Sequence, residues 1–326
     1  MKVDIYKNTG GIDLIQINFI YDGIYNDTLY QIIAKINNNT IKYNYDIINN
    51  YIISFGCEVS IIGNKTLVNF NVSNYNEKVN LYNENTTLES VKLLFEFISN
   101  IKDYLKIEEY NEFQNLLKSS NIYLQIVSDE DTANKILKGI DSKYLNRKNK
   151  KFKKNYFKKI DINEIDHKLP CYILQSKDLY IDSNKIIKNE FLCELIEVLA
   201  FIYIREDKSL IYGMFPQYNK CKNFLIFTIK YENENREKVK KAVDEFFNKI
   251  KTGNFDDKFF EYSKFKFMFE KNNENNIEIV KAIQDLYGEI SGYKYDLNLI
   301  KYITKEDIIK YFNNFNILEG LCNEWY

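Results

Sequence analysis

The stretch IREDKSLIY at residues 204–212 marks the point where the sequence pattern changes from helix to strand. Before it, apolar residues recur over residues 185–206 as they do in a long, largely buried helix. After it, strands are predicted over residues 210–218 and 223–231, and apolar and polar side chains alternate in the second strand. An amphipathic helix is predicted next, over residues 235–251. This part of the chain therefore reads helix, strand, strand, helix.

The first half of the chain shows the same order of elements. Residues 45–101 predict a helix over residues 45–55 that ends at Gly56, then two strands and an amphipathic helix over residues 88–101. A repeat of about half the chain indicates duplicated domains rather than a solenoid of short units. The predicted fold class is α+β, with two duplicated domains that each carry an antiparallel-rich sheet and helices packed on one face.

Charge divides the chain into three parts. Residues 1–142 carry a net charge of −6 and residues 160–326 carry −4, whereas residues 143–159 hold nine basic residues and no acid. We therefore predict an N-terminal domain over 1–142, a basic linker over 143–168 and a C-terminal domain over 169–326. Aromatic residues lie among the lysines and leave nucleic-acid binding by stacking open. The acidic flanks and the near-exclusive use of lysine favour a solvated linker that binds no nucleic acid.

The composition excludes several kinds of site. The chain has one histidine, His167, so no zinc site with two histidines can come from this chain alone. The five cysteines include no C-x-x-C pair and lie among apolar residues, which indicates buried thiols in a reducing compartment. A hydrolase pair of Cys171 and His167 is a minor alternative, because Pro170 disfavours the helix that would align them.

No apolar run reaches the roughly 18 residues of a membrane-spanning helix. The N-terminus, MKVDIY, also lacks the apolar core of a signal peptide. These two observations predict a cytoplasmic protein without membrane insertion.

The stretch at residues 204–212 resembles the C-terminal-domain signature of the pitrilysin/insulinase-like zinc peptidases. In that family an Arg-Glu pair is followed by a Lys-Ser/Gly-Leu-x-Tyr step. The resemblance covers residues 166–316 well and residues 12–140 more moderately. It implies that Arg205 and Tyr212 face a substrate chamber and contact the peptide backbone or the developing oxyanion. Arginine offers five fixed donors and tyrosine a rigid hydroxyl, and both suit charge on a carbonyl oxygen.

The predicted helix that is nearest the N-terminus, and that contains residues 30–34, departs from the family pattern. Active members carry H-x-x-E-H there, in which two imidazoles and a downstream glutamate hold zinc and the remaining glutamate acts as general base. In this chain Tyr30, Ile33 and Ala34 stand where His, Glu and His would be. The resemblance therefore implies a shortened, non-catalytic member, a pseudo-metallopeptidase with no metal or other cofactor of its own.

The interpretation that follows is an inactive subunit that forms a heterodimer with an active H-x-x-E-H zinc peptidase. Arg205 and Tyr212 would then contribute to a shared chamber for a peptide substrate, with zinc only in the partner subunit. Bacterial companions of this kind often serve the maturation of a ribosomal peptide such as a bacteriocin. The alternative is a non-catalytic scaffold that binds a peptide or a protein.

Overall fold

The protein is described here by a computed structural model, which divides it into two compact units. The first unit comprises Met1–Asn155 with Asn275–Ile290, and the second comprises Tyr156–Glu274 with Ser291–Tyr326. His167, Cys322 and most of the predicted helix over residues 88–101 lie outside the described residues. The described residues are 1–7, 12–40, 47–48, 51–76, 98, 100–139, 148–159, 170–273 and 277–320.

A mixed sheet forms the centre of the first unit. Within the described residues its strands are β1 Lys2–Lys7, β2 Ile12–Tyr21, β3 Ile47–Ile48, β4 Tyr51–Ile62, β5 Lys65–Asn76 and β6 Asn121–Ser128. Their order across the sheet is β1-β6-β2-β5-β4-β3. β1 pairs with β6 in parallel, and the other neighbours are antiparallel. Both faces of β2 are buried, since Ile15, Ile17 and Phe19 lie on one face and Leu14, Asn18 and Ile20 on the other.

Among the residues that the structure describes, three long helices pack on one face of this sheet. They are α1 Thr28–Thr40, α2 Ile107–Ser119 and α3 Glu130–Gly139. Their apolar residues, among them Ile32 and Phe113, form a single core with Ile17 and Phe19 of β2 and Val68 of β5. Because successive side chains of a strand point to opposite faces, this core uses only every second residue of each strand.

A four-stranded antiparallel sheet forms the centre of the second unit. Its strands are β7 Cys171–Ser176, β8 Gly213–Asn219, β9 Phe224–Lys230 and β10 Phe315–Gly320, in the order β10-β7-β9-β8. Helices α4 Ser183–Ala200, α5 Arg236–Thr252, α6 Asp257–Asn272 and α8 Lys305–Phe312 share one core with this sheet. Asp182 caps the N-terminus of the long helix α4. Its carboxylate accepts hydrogen bonds from two backbone N–H groups of the first turn.

Helix α7, Ile277–Ser291, comes late in the chain but packs in the first unit. Its Ala282 lies among Tyr6, Leu14 and Val127. Leu14 and Val127 point away from α1–α3, so α7 covers part of the opposite face of the first sheet. The Gln125 side-chain amide donates to the backbone carbonyl of Ala282 over 2.7 Å.

The predicted α+β class with two sheet-and-helix units is confirmed, and α7 adds a helix on the second face of the first sheet. The predicted helix over residues 45–55 is wrong. The described residues of that segment are strand, because Tyr51 to Phe55 pair with Asn76 to Val72 in a long hairpin. The predicted boundaries at 142 and 168 also differ from the compact units, since residues 148–155 and 277–290 belong to the first unit.

None of the helices in the described ranges combines the length and the apolar character needed to cross a bilayer.

Candidate functional site

The segment that carries Arg205 and Tyr212 begins where α4 continues into a π-helix, Phe201–Glu206. The wider turn shows in the hydrogen bond from the Asp207 N–H to the carbonyl of Ile202, five residues earlier, at 3.0 Å. Single π-helical turns are rare and occur often at functional sites. The turn ends the predicted helix of residues 185–206 and directs the chain toward β8.

A tight backbone turn then leads from the π-helix to β8. Ser209 adopts a left-handed conformation with φ of 53°, and its N–H donates to the Arg205 carbonyl at 2.9 Å. The Tyr212 N–H donates to the carbonyl of Lys230 at 2.7 Å, which attaches the segment to the end of β9. The backbone of residues 205–212 is therefore fixed at both ends by hydrogen bonds.

The Arg205 side chain lies at the protein surface, with 48% of its area exposed. Its guanidinium carbon is 5.0 Å from the centre of the Phe201 ring, and its Nε is 3.9 Å from a carboxylate oxygen of Glu206. Stacking on an aromatic ring restrains the guanidinium plane and leaves its N–H groups free to point outward. Arg205 thus has an aromatic neighbour on one side of its guanidinium, while about half of its side chain remains exposed.

Tyr212 is also exposed, with 57% of its area accessible. Its hydroxyl donates a hydrogen bond to the Glu232 carboxylate. That hydrogen bond and the negative charge of Glu232 raise the pKa of Tyr212, so the phenol stays protonated as a donor. Tyr212 directly precedes β8, an edge strand of the second sheet.

The structure brings Arg205 and Tyr212 onto one exposed segment but does not join their side chains. Each has its own neighbours, and in the described part of the chain no hydrogen bond or ring contact links the two. Neither side chain contributes to the core, although Ile204 and Ile211 beside them are buried. The Arg205 guanidinium is therefore accessible to a ligand from solvent, whereas the single O–H of Tyr212 is donated to Glu232 and would have to leave that carboxylate to reach a ligand.

A groove with a cavity volume of about 550 Å³ lies beside Arg205. It is bounded by the end of α4, by the π-helix and by α6, and its lining includes Phe201, the ring on which Arg205 stacks. The lining residues are Glu197, Val198, Phe201, Ile202, Lys258, Phe259, Tyr262 and Lys266. The groove is thus mostly aromatic and aliphatic, with charged groups at its rim, as ligand sites commonly are.

Sequence reasoning missed this groove, although α6 carries the signal for it. Phe260 and Phe267 are buried on one face of the helix, whereas Tyr262, Phe265 and Phe269 are more than half exposed on another. A helix with aromatic residues on both faces has more apolar surface than one core can bury. That excess indicates a second, ligand-facing surface.

Lys266 is the centre of the charged rim of the groove. Its ammonium group lies 2.6 Å from Glu194, 3.7 Å from Glu197 and 3.6 Å from Glu270. Burial of Glu194 raises the pKa of its carboxyl, and the hydrogen bond from Lys266 only partly offsets this effect. One ammonium thus faces three carboxylates at this end of the groove, so acidic groups outnumber basic ones beside the aromatic surface.

Similar solved structures cover almost the whole chain, whereas no protein-family model and no curated protein matches its sequence. A peptidase M16 inactive domain from Pseudomonas fluorescens has a TM-score of 0.59 and 11% identity, over 97% of this chain and 94% of that one. A protein described as an M16-like peptidase from Alicyclobacillus acidocaldarius gives 0.58, with the same identity and coverage. A conserved protein from Enterococcus faecalis gives 0.57, again at 11% identity and the same coverage.

The chain has the fold of the M16-like peptidases. A structure of pitrilysin is also similar, with a TM-score of 0.50 over 96% of this chain and 41% of that one. The resemblance predicted from residues 204–212 is thereby confirmed for the fold.

Helix α1 carries Tyr30, Ile33 and Ala34, the residues that the sequence resemblance aligns with the zinc motif of active members. Tyr30 and Ala34 lie on its exposed side, whereas Ile33 is only 5% exposed and packs in the core. A glutamate at position 33 would therefore enter an apolar core rather than a metal site. Across the described ranges, no three His, Cys, Asp or Glu residues are grouped so that they could hold a metal ion.

The alternative pair of Cys171 and His167 is only partly visible. Cys171 is fully buried in β7, next to Ile173 and Phe224. A nucleophilic thiol has to reach its substrate, and this environment gives it no access.

Proposed function

We propose that this chain is the non-catalytic subunit of a two-chain peptidase. Its partner is an active peptidase that carries H-x-x-E-H and holds the zinc ion. Arg205 and Tyr212 serve a peptide bound in the shared chamber. The contrast between two helical segments carries this proposal. Helix α1 buries Ile33, which aligns with the general base of active members, whereas the π-helix that follows α4 keeps Arg205 exposed and oriented by Phe201.

Arg205 and Tyr212 suit the stabilisation of a peptide carbonyl on which negative charge develops. The guanidinium of Arg205 is oriented by Phe201. Glu232 raises the pKa of Tyr212, so Tyr212 keeps its proton, and its hydroxyl turns from Glu232 to the peptide when the substrate binds. Donors that are fixed before the reaction stabilise an oxyanion without the cost of reorganising. The adjacent edge strand β8 offers backbone groups with which an extended peptide can pair, and the groove beside Phe201 accepts an apolar side chain.

We infer that the substrate is an extended peptide. Maturation of a ribosomal peptide, such as a bacteriocin, is the setting proposed for a bacterial companion of this kind. Strand pairing at β8 needs an unfolded segment, because a folded domain presents few free backbone groups.

The test is co-expression with the H-x-x-E-H peptidase encoded nearest to this chain's gene. The two proteins should co-purify, and peptide cleavage should require both. Arg205→Ala should lower kcat/KM of the complex by about 100-fold, the usual cost of one lost oxyanion donor. Tyr212→Phe should lower it in the same direction. Assembly should persist in both variants, because neither side chain belongs to the core.

Matched controls are available on the same unit. Arg236→Ala removes another exposed arginine, and Tyr302→Phe removes the hydroxyl of a tyrosine that is 78% exposed. Both should leave cleavage unchanged. Equal losses in the control variants would show a general effect of charge or folding and would remove the support for Arg205 and Tyr212.

A non-catalytic scaffold is the second candidate, and the groove between α4 and α6 favours it. In that case the aromatic surface binds a protein or a peptide, and Arg205 only covers one face of the Phe201 ring. Substitution of Phe201 and Tyr262 by Ala would then abolish binding, whereas Arg205→Ala and Tyr212→Phe would leave the activity of any partner unchanged. That combination of results would select the scaffold over the peptidase subunit.

A further inference from the structure

Residues 148–155 of the basic segment belong to the first unit, and we call these eight residues the lysine strap. It has no helix or strand, yet every third residue turns inward, beginning with Asn149 and continuing with Phe152 and Asn155. Asn155 is 4% exposed. The lysines between these positions are all exposed, and they are Lys148, Lys150, Lys151, Lys153 and Lys154. The strap therefore has one anchoring side and one cationic side.

Side-chain amides anchor the first part of the strap to the beginning of β6. Asn149 accepts from the Ile122 N–H and donates to the Ile122 carbonyl, each at 2.9 Å. Asn121 makes the reciprocal pair with the backbone of Lys150, at 2.8 and 2.7 Å. The Phe152 ring then stacks on Tyr123 with the ring centres 6.3 Å apart. These contacts fix the backbone that carries Lys148, Lys150 and Lys151.

A buried lysine anchors the second part of the strap. Lys65 is fully buried at the start of β5, and its ammonium donates to the Lys153 carbonyl and to Asp22, each at 2.8 Å. The same ammonium lies 5.4 Å from the centre of the Phe152 ring. Asn155 accepts a hydrogen bond from the Asn64 N–H at 3.0 Å. A segment held at this many points is a fixed surface rather than a loose linker.

Three lysines of the strap, Lys148, Lys150 and Lys151, have exposed side chains on its cationic side. Within the described residues, Lys148, Lys150 and Lys151 form no ion pair. The five lysine positions span at most about 20 Å of extended chain. A row of like charges in fixed positions raises the free energy of the unbound protein, and an anionic ligand relieves that repulsion.

The chemistry of the strap selects among anionic partners. Its single aromatic ring, Phe152, stacks on Tyr123, so residues 148–155 present no outward ring on which nucleic-acid bases could stack. The next ring along the chain, Tyr156, is exposed but belongs to the second unit. Lysine lacks the planar fork that arginine uses for bidentate phosphate recognition. A short row of carboxylates meets none of these obstacles.

We propose that the lysine strap is a docking strip for an acidic, extended segment of a partner polypeptide. This role is independent of Arg205 and Tyr212 and does not need a peptidase partner. The affinity is electrostatic, so it falls with rising salt concentration.

Binding of fluorescein-labelled octaglutamate to the full chain, followed by fluorescence anisotropy, tests the strap. At low salt the peptide should bind, an octaglutamine peptide should not, and added salt should release it. The combined Lys148→Gln, Lys150→Gln and Lys151→Gln variant should weaken binding about tenfold, as expected for three solvent-exposed ion pairs. A matched control replaces Lys238, Lys241 and Lys251 on the exposed side of α5 by Gln, which changes the net charge equally. The control should bind as the wild type does.

Three results would overturn the proposal. The first is no binding of octaglutamate at low salt, and the second is an equal loss in the strap and control variants. The third is tighter binding of oligo(dT) or phosphatidylserine vesicles through the strap. Amine acetylation followed by mass spectrometry provides a check on the wild-type protein, in case a variant folds poorly. Octaglutamate should protect Lys148, Lys150 and Lys151 but leave the control lysines reactive.

Discussion

The buried ammonium group of Lys65 links β5 to two segments that are distant in the sequence, because it donates to Asp22 and to the Lys153 carbonyl. The Lys65 side chain is 1% exposed and that of Asp22 is 29% exposed, with 2.8 Å between the ammonium and the carboxylate. Burial alone would raise the pKa of Asp22, but hydrogen bonds from Lys65 and from the Lys153 N–H lower it below the ordinary value of 3.8. The pair therefore contributes stability above pH 3.8, and this contribution is lost as the pH falls through the lower folded-state pKa.

The two partners of this ion pair should not be equally costly to remove. Asp22→Ala leaves the buried Lys65 charge without a carboxylate, and we expect the free energy of unfolding to fall by about 3 kcal/mol. Lys65→Met leaves a partly solvated carboxylate and an apolar side chain in the buried site, and we expect a loss of about 1 kcal/mol. Urea unfolding at neutral pH measures both. A larger loss for Lys65→Met would contradict this explanation.

Ile33 is the residue at which α1 differs most from a zinc-binding helix. Ile33→Glu places an unpaired carboxylate in the core and should lower the free energy of unfolding by about 3 kcal/mol or more. Ala34→Glu is the matched control, because position 34 is exposed and the change should stay within about 0.5 kcal/mol. Thermal or urea unfolding distinguishes them. Equal stability of the two variants would mean that position 33 can present a glutamate to solvent.

Sequence reasoning proposes Arg205 and Tyr212 as site residues, and this stays a prediction, whereas it does not reveal the groove beside them. The two residues stand in a short motif with fixed spacing, so a resemblance identifies them without any knowledge of packing. Their exposure was not predictable from that motif. The groove depends on how α6 rotates against α4, which is a tertiary property. Tyr262 and Phe265 carried a weak signal through the excess of aromatic residues on α6.

At the scale of elements, the end of α5 depends on one glycine. Gly253 has φ of 71°, and a Cβ added there would lie 2.4 Å from the Ile309 Cδ1 atom. Gly292 has φ of 78°, with no atom within 4 Å of an added Cβ. Both positions therefore require a left-handed backbone, but only the first is also crowded by α8.

This difference predicts unequal effects of alanine at the two positions. Gly292→Ala should lower the free energy of unfolding by about 1 kcal/mol, from backbone strain alone. Gly253→Ala should lose about 1 kcal/mol more, because Ile309 has to move. Chemical unfolding of the two variants provides the comparison. A Gly253→Ala protein as stable as Gly292→Ala would show that Ile309 yields without cost.

The elements that were predicted correctly are those whose pattern is local. The helix over residues 235–251 has a clear apolar stripe and a terminal glycine, and α5 occupies almost the same range, Arg236–Thr252. The segment around Tyr51 is a short apolar run that suits helix and strand equally. Pairing with β5 decides in favour of a strand, and that pairing is not local. The π-helix depends on one extra residue in a turn, and the apolar period does not reveal it.

At the scale of the whole molecule, the chain is not two consecutive domains. Helix α7 belongs to the first unit although it follows most of the second unit in the sequence. The Tyr6 hydroxyl donates to Asp285 at 3.0 Å, and Lys2 pairs with Glu289. Charge and composition along the sequence do not predict that α7 packs on the first sheet. Its position depends on which face of that sheet remains uncovered, which is a property of the folded chain. The two adjacent strands of each half were recognisable, but the helix that precedes them in the first half is α1 rather than residues 45–55, and the position of α7 was not recognisable at all.

The position of α7 predicts that the N-terminal half does not fold alone. A fragment of residues 1–155 lacks α7, so Leu14 and Val127 lose their cover and the Gln125 amide loses its acceptor. This fragment should be insoluble or unfold without cooperativity. Co-expression with residues 156–326 should restore a soluble complex, as judged by co-purification and circular dichroism. A fragment 1–155 that unfolds cooperatively at the midpoint of the full chain would contradict this prediction.

The central claim is that this chain supports catalysis by another subunit without a catalytic site of its own. The most direct measurement is kcat/KM for peptide cleavage by its H-x-x-E-H partner, with wild-type chain, Arg205→Ala or Arg236→Ala. We predict no cleavage by the purified chain alone, full activity with the wild type and with Arg236→Ala, and about a 100-fold loss with Arg205→Ala at unchanged assembly. Zinc-dependent cleavage by the purified chain alone, or equal activity of all three complexes, would contradict the account.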